Sequence, residues 1–170
     1  MLTGNPGHAK SFDYLGLHRY SLTFCTYNRT RYFTDKSRVD VVFEQIVRSA
    51  TENEFGIFAY SFMPDHVHLL IEGLSDASNA LTFIDRAKQY SGYYFKRAFH
   101  SKLWQRYGFE HTLRSDEATL SVARYILENP VRAGLVQRVP DYPFCGSLMY
   151  PIEQVLDALA MMPPSKKSRG

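Results

Sequence analysis

The chain has 170 residues, 45% hydrophobic and 22% charged, the composition of one soluble globular domain, two at most, and too short for a (β/α)₈ barrel of roughly 200 residues or more. Twenty basic against seventeen acidic residues leave a net charge of +3, which permits a polyanionic partner without demanding one. No run of about 18 apolar residues is present to span a membrane, and Met1–Lys10 lacks the apolar segment of a secretory signal, so a cytoplasmic chain with reduced thiols at Cys25 and Cys145 is expected.

Residues 1–13, with Gly4, Asn5, Pro6 and Gly7 among them, read as a flexible arm. From Arg19 to Tyr27, Tyr20, Leu22 and Phe24 alternate with Ser21, Thr23 and Cys25, the pattern of a half-buried strand. Thr34–Asp35 opens a helix with Val39, Val42, Phe43, Ile46, Val47 and Ala50 at helical spacing, ended by Gly56 at the latest. A second strand is predicted over Ile57–Phe62, a turn at Met63-Pro64-Asp65 and a third strand over His66–Glu72. The loop Ser75–Asn79 holds several capping candidates, and Leu81, Ile84, Ala87, Tyr90, Tyr94 and Ala98 mark a second helix. Leu103–Gly108 reads as a connector and Phe109–Leu113 as a fourth strand. Ser115 caps a third helix, with Asp116 and Glu117 in its positively polarised first turn and Pro130 as its stop. Beyond Val136 the chain is Pro-rich, and its end, Ser165–Arg169, reads as disordered.

The order β-α-β-β-α-β and then a helix matches the split βαβ arrangement. This is an α+β, ferredoxin-like (RRM-like) antiparallel sheet with an additional C-terminal helix. Its first and third strands form the central pair, both crossover helices cover one face, and the other face stays open for a ligand or for further structure. The chain then divides into the arm, a folded unit over residues 14–138 and an extension over 139–170.

The third strand carries the first chemical signal. Period two places Val67, Leu69 and Ile71 on one face and His66, His68, Leu70 and Glu72 on the other. Residues i and i+2 of a strand stand about 6–7 Å apart at Cα, which suits two cis ligands of one metal ion. Two unrelated histidines, solvated or hydrogen-bonded, are the plain alternative; the place after Met63-Pro64-Asp65 on a central strand favours the pair. The third helix carries the second signal. Tyr125 and Asn129 stand at i and i+4, with Ala118, Ser121 and Val122 above them on the same face. Taken alone, Tyr125 reads like the eleven other tyrosines. If this helix docks on the open face, a phenol and an amide approach the histidine pair. A phenol whose pKa is near 10 is a poor nucleophile at neutral pH and gains from a divalent cation that polarises its phosphate target.

On these residues the chain resembles a known family. Pro64-Asp65-His66-Val67-His68-Leu69-Leu70 resembles the His-hydrophobe-His motif of the HUH single-tyrosine transposases, the IS200/IS605-like family. The segment from Tyr125 to Val136 resembles the tyrosine segment of its REP-associated (RAYT) branch, as do Leu103-Trp104-Gln105-Arg106 and His111-Thr112-Leu113-Arg114-Ser115. The likeness covers roughly residues 14 to 150. It implies a metal-dependent single-stranded DNA endonuclease and strand transferase. In that reading His66 and His68 hold Mg²⁺ or Mn²⁺, and Asn129 completes the metal site where the insertion-sequence branch usually has Gln. Tyr125 attacks a phosphate in hairpin or palindromic repeat DNA, leaving a 5′-phosphotyrosine link and a free 3′-OH. Asp65 stands where the motif usually has Asn; whether its carboxylate tightens metal binding or repels phosphate stays open. A nucleoid-associated bacterial protein is implied, and a homodimer that shares active sites in trans is left open.

Basic residues interleaved with aromatics along residues 80–99 suit backbone neutralisation and base stacking, although most of them read as core aromatics and solvated charges. Arg97, Arg114 and Arg132 are the stronger DNA-binding candidates, with Asn28, Arg29 and Arg31 at the end of the first strand. His111 either reaches the site or is a satisfied strand histidine, and Trp104 reads as a core anchor. Three other functions compete. A domesticated protein that binds palindromic repeats without transposition would have no need of the Tyr125, His66, His68 and Asn129 set. An H-x-H metallohydrolase needs a larger barrel, and an RRM-type RNA-binding domain needs aromatics on its third strand.

Overall fold

Alternation in the first strand and helical spacing after it are met in the structure, a computed structural model that describes residues 14–113 and 116–164, the side chains of 109–113 and 116–117 excepted. The order is β1 (Arg19–Cys25), a 3₁₀ turn (Tyr27–Arg29), α1 (Lys36–Glu52), β2 (Phe55–Met63), β3 (His66–Gly73), α2 (Ala80–Phe99), β4 (Phe109–Leu113), α3 (Asp116–Arg132), a second 3₁₀ turn (Val139–Asp141), β5 (Cys145–Gly146) and α4 (Ile152–Ala160). The strands form one sheet in the order β4-β1-β3-β2-β5, antiparallel throughout, with β1 and β3 as the central pair. The fold is the ferredoxin-like α+β arrangement expected from the element order.

Asp35 starts α1 as N-cap, its Oδ1 accepting from Arg38 N at 3.0 Å, and Asn79 does the same for α2 through Thr82 N at 3.1 Å. Both helices pack on the face that carries Tyr20, Leu22, Phe24, Val67, Leu69 and Ile71. Phe33, Phe62, Phe83 and Phe95 are fully buried there, so much of the aromatic content is core. On the opposite face Ala123, Ile126 and Leu127 of α3 cover Ala59 and Leu70. A bulge between Ile57 and Ala59 lets β2 serve both cores: Ile57 faces the crossover helices, Ala59 faces α3, and Phe62 faces the helices again.

Four expectations need correction. Pro130 does not end α3. Placed in the last turn, a proline forfeits one backbone bond, and the helix runs on to Arg132. The stop is Gly134 at φ +74°, where Gly134 N bonds Val131 O (3.0 Å) and Leu135 N bonds Pro130 O (2.9 Å) in a Schellman arrangement. The second strand runs Phe55–Met63 rather than Ile57–Phe62, so it takes in Gly56; α1 ends before Gly56 as expected, capped at Asn53, with Glu54 in the left-handed position at φ 57°. The first strand stops at Cys25, and Tyr27 enters the 3₁₀ turn. The Pro-rich tail is built into the sheet. Cys145 and Gly146 pair with Ser61 and Tyr60, and α4 buries Val155 and Leu159 in the α3-side core. The Tyr142 hydroxyl donates to the Phe62 carbonyl, which ties the tail to β2.

Candidate active site

His66 and His68 stand on the face that α3 covers, bracketed by Thr23 and Cys25 of β1 and by Ser61 and Met63 of β2. Their rings meet head to head, Nε2 to Nε2 at 3.1 Å. His66 Nδ1 lies 2.7 Å from Asp65 Oδ1, and His68 Nδ1 lies 2.9 Å from Thr23 Oγ1. An ionised carboxylate only accepts, so Nδ1 of His66 carries a proton, and in the neutral form of the ring this leaves the lone pair on Nε2. Burial first, then His66, Arg132 and Arg29, pulls the His68 imidazole down to about 3, so it is neutral at physiological pH.

A neutral His68 has two settings. With the proton on Nε2 it donates to His66 and accepts the Thr23 hydroxyl at Nδ1. With the proton on Nδ1 it donates to Thr23 and turns a second lone pair toward the first. The hydroxyl serves either setting because it both donates and accepts. The second setting aims two imidazoles at one point, with an outer partner on each Nδ1, as metal-binding histidines do. Among the described residues no three of His, Cys, Asp and Glu converge. The donor set therefore fits a cation that takes its remaining ligands from neutral and substrate oxygens.

Asp65 is bound on both sides: Oδ1 faces His66 and Oδ2 accepts from Arg29 Nε at 2.9 Å. Burial pushes its pKa up, but the hydrogen bonds from His66 and Arg29 outweigh that and hold it below the usual carboxylate range. Its charge is thus matched by Arg29, which also donates to Cys25 Sγ at 3.0 Å from a left-handed backbone position, φ 53°.

Helix α3 brings in the phenol. Arg19 spans Glu72 Oε1 (Nε, 3.2 Å) and Thr119 Oγ1 (Nη1, 3.3 Å), which ties the N-terminal half of α3 to the sheet. Ala123, Ile126 and Leu127 then seat its middle. Tyr125 packs edge-on against His68, ring centroids 5.9 Å apart, and stays 56% exposed. The Arg132 guanidinium lies 4.3 Å from the centre of the Tyr125 ring, donates to the Tyr125 carbonyl and pairs with Glu128 at 3.6 Å. Asn129, half-buried, follows Tyr125 by one turn.

The structure thus gathers His66, His68, Asp65, Tyr125, Arg29 and Arg132 in one region of one chain. Arg31 is exposed, and Arg97 is exposed on α2, across the sheet from the histidines. His111 pairs in register with Ser21, and Arg114 lies outside the described residues. Sequence reasoning passed over Thr23, although strand parity already sets it on the histidine face. It also missed the stacking of Arg132 on Tyr125, whose i, i+7 spacing on one helix face was the available signal.

A family model described as "Transposase IS200 like" matches residues 15–129, a span from just before β1 through Asn129. The chain belongs to the IS200-like transposase family. Two curated relatives are described as REP-associated. A Haemophilus influenzae protein described as a REP-associated tyrosine transposase is 30% identical over 138 residues, 74% of this chain and 77% of the relative. The Escherichia coli K12 REP-associated tyrosine transposase is 28% identical over 102 residues, 58% of either chain. A REP-associated tyrosine transposase solved bound to a REP hairpin shares the fold, with TM-score 0.67, 22% identity and 79% of each chain covered. A Deinococcus radiodurans transposase structure matches with TM-score 0.52 and 24% identity, over 71% of this chain and 95% of its own. This IS200-like transposase has no helix among the described residues that is long and apolar enough to cross a membrane.

Proposed function

We propose that this REP-associated IS200-like transposase is a metal-dependent single-stranded DNA nickase and strand transferase that acts on hairpin or palindromic repeat DNA. The observation that carries the reading is the Tyr125 ring packed against His68, whose Nε2 meets that of His66 at 3.1 Å. The solved relative bound to a REP hairpin supports a hairpin substrate. His66, His68 and Asn129 would hold a Mg²⁺ or Mn²⁺ ion, which would supply Lewis acidity toward the scissile phosphate.

The chain's own groups do the rest. Tyr125 Oη attacks phosphorus and the P–O3′ bond breaks. The phenol proton leaves to solvent, and a proton from solvent ends on the 3′ oxygen. The products are a 5′-phosphotyrosine and a free 3′-OH. One ester replaces another, so no external energy source is needed and a 3′-OH can reverse the step. Arg132, 4.3 Å from the centre of the Tyr125 ring, sets a fixed positive charge over the face of the phenol. Asp65 and Thr23 hold the two imidazoles by their Nδ1 atoms. All these residues come from one chain, so the reading requires no second copy.

The test is a denaturing gel of protein with a labelled single-stranded hairpin oligonucleotide and Mn²⁺. The wild type is expected to form a covalent protein–DNA band, and Tyr125→Phe to lose it by several orders of magnitude. Chelator, or His66→Ala, is expected to remove it as well. An undiminished adduct with Tyr125→Phe overturns the nucleophile, and cleavage indifferent to chelator and to His66→Ala overturns the metal. Tight hairpin binding with no cleavage under any cation would leave a repeat-binding protein instead.

A further inference from the structure

The connector between α2 and β4 folds back along α2 and leaves a groove of about 470 Å³, lined by Lys88, Lys96 and Lys102 with Gly92 and Trp104 and, among the described residues, by no acidic one. Lys88 is already used: its Nζ donates to Gln105 O (3.2 Å) and Arg106 O (3.4 Å). Lys96 and Lys102 are exposed, and neither forms an ion pair with a described residue. Two uncompensated ammonium groups on one groove mark a place for an anion.

Gly92 is the second observation. A glycine inside a 20-residue helix weakens it relative to alanine. Packing does not demand one here, because a Cβ would meet nothing nearer than Trp104 Cδ1 at 3.8 Å. The missing side chain keeps the groove open. The groove also connects to the candidate active site. Its connector wall is bonded to the end of β1, with Tyr27 N to Leu103 O at 2.8 Å and Gln105 N to Cys25 O at 3.0 Å, and Cys25 stands opposite His66. Tyr27, 41% exposed, has the Lys102 ammonium 4.6 Å from its ring centre. An exposed aromatic ring paired with a cation is the surface that unpaired nucleotides favour.

We propose that this groove holds the single-stranded DNA arm flanking the hairpin, with backbone phosphates on Lys96 and Lys102 and an unpaired base over Gly92. The proposal rests on the nickase reading and adds to it a second DNA contact on the far side of the sheet. A duplex, whose bases are paired and stacked inward, has no base to place there.

The experiment measures binding in chelator, where nothing is cut, using one hairpin with and without a single-stranded arm. Trp104 is the chain's one tryptophan, so its fluorescence reports entry into the groove. The wild type is expected to bind the armed hairpin about tenfold tighter than the bare one, with quenching by the arm alone. The double variant Lys96→Glu/Lys102→Glu should lose that preference and quenching while binding the bare hairpin as before. Its salt slope on the armed probe should flatten by about 1.4, at 0.7 per phosphate. Gly92→Leu should lose the same preference without a drop in melting temperature. An arm preference unchanged in both variants, or an equal loss on both probes, overturns the groove. If the wild type nicks the armed hairpin yet the arm neither tightens binding nor quenches Trp104, the groove falls and the nickase stands. If the wild type binds neither probe, both readings fall.

Discussion

Thr23 and Asp65 determine what the two imidazoles can present. Asp65 leaves His66 one tautomer, whereas the Thr23 hydroxyl lets His68 take either. Valine keeps the shape and β-branching of threonine but removes both roles. Thr23→Val is expected to leave the fold intact and weaken Mn²⁺ binding about 10–100-fold, as loss of an outer partner of a metal-binding histidine does; a calorimetric or spin-resonance titration of Mn²⁺ measures it, and unchanged affinity would remove Thr23 from the site. The histidine pair and Tyr125 were legible because each sits in a local pattern, period two for one and i, i+4 for the other. Thr23 was not, because its partner lies on another strand and the register between strands is not written in either. The doubt over Asp65 is eased by its ion pair with Arg29, which neutralises the charge that would otherwise repel phosphate.

At the scale of elements, α1 and α2 were readable because capping and apolar spacing agree in them. Asp35 shows how strongly one cap can be held. Hydrogen bonds from the Ser37 hydroxyl, and then from the Arg38 amide, bring its carboxyl down to about 2. The folded value lies below the unfolded value of about 3.9, so the stabilisation is complete above about pH 4 and is lost as pH falls through 2. Asp35→Ala is expected to cost about 1 kcal/mol at neutral pH, measured by urea unfolding. Asp35→Asn, which caps without a charge, should keep most of the stability and lose that acid dependence; an acid profile identical to wild type would exclude Asp35 as its source. Helix α3 was readable in its start and its face but not in its end, because a proline in the last turn removes only one bond while Gly134 supplies a better stop.

For the whole molecule, the split βαβ frame was legible because each half repeats a strong strand–helix pattern. The sheet's fifth strand was not, since two residues cannot display a period. Helix α4 was hidden differently: Ile152, Val155, Leu156 and Leu159 follow helical spacing, but Pro143, Pro151, Pro163 and Pro164 around them gave only a Pro-rich extension. Those apolar residues complete the core under α3, so the terminal segment supports the helix that carries Tyr125. Leu159→Ala is expected to destabilise the protein by about 2–3 kcal/mol, at the low end for a buried leucine because Leu159 also lines an open groove beside α3. Denaturant unfolding followed by circular dichroism measures it, and a loss under about 0.5 kcal/mol would detach α4 from the core.

The openness of Tyr125 has a kinetic meaning. With 56% of that residue in contact with solvent, no described segment stands over it as a lid or loop that an incoming phosphate must displace. Covalent capture should therefore begin without a lag after mixing, at an initial rate that rises in proportion to oligonucleotide concentration until the protein is saturated.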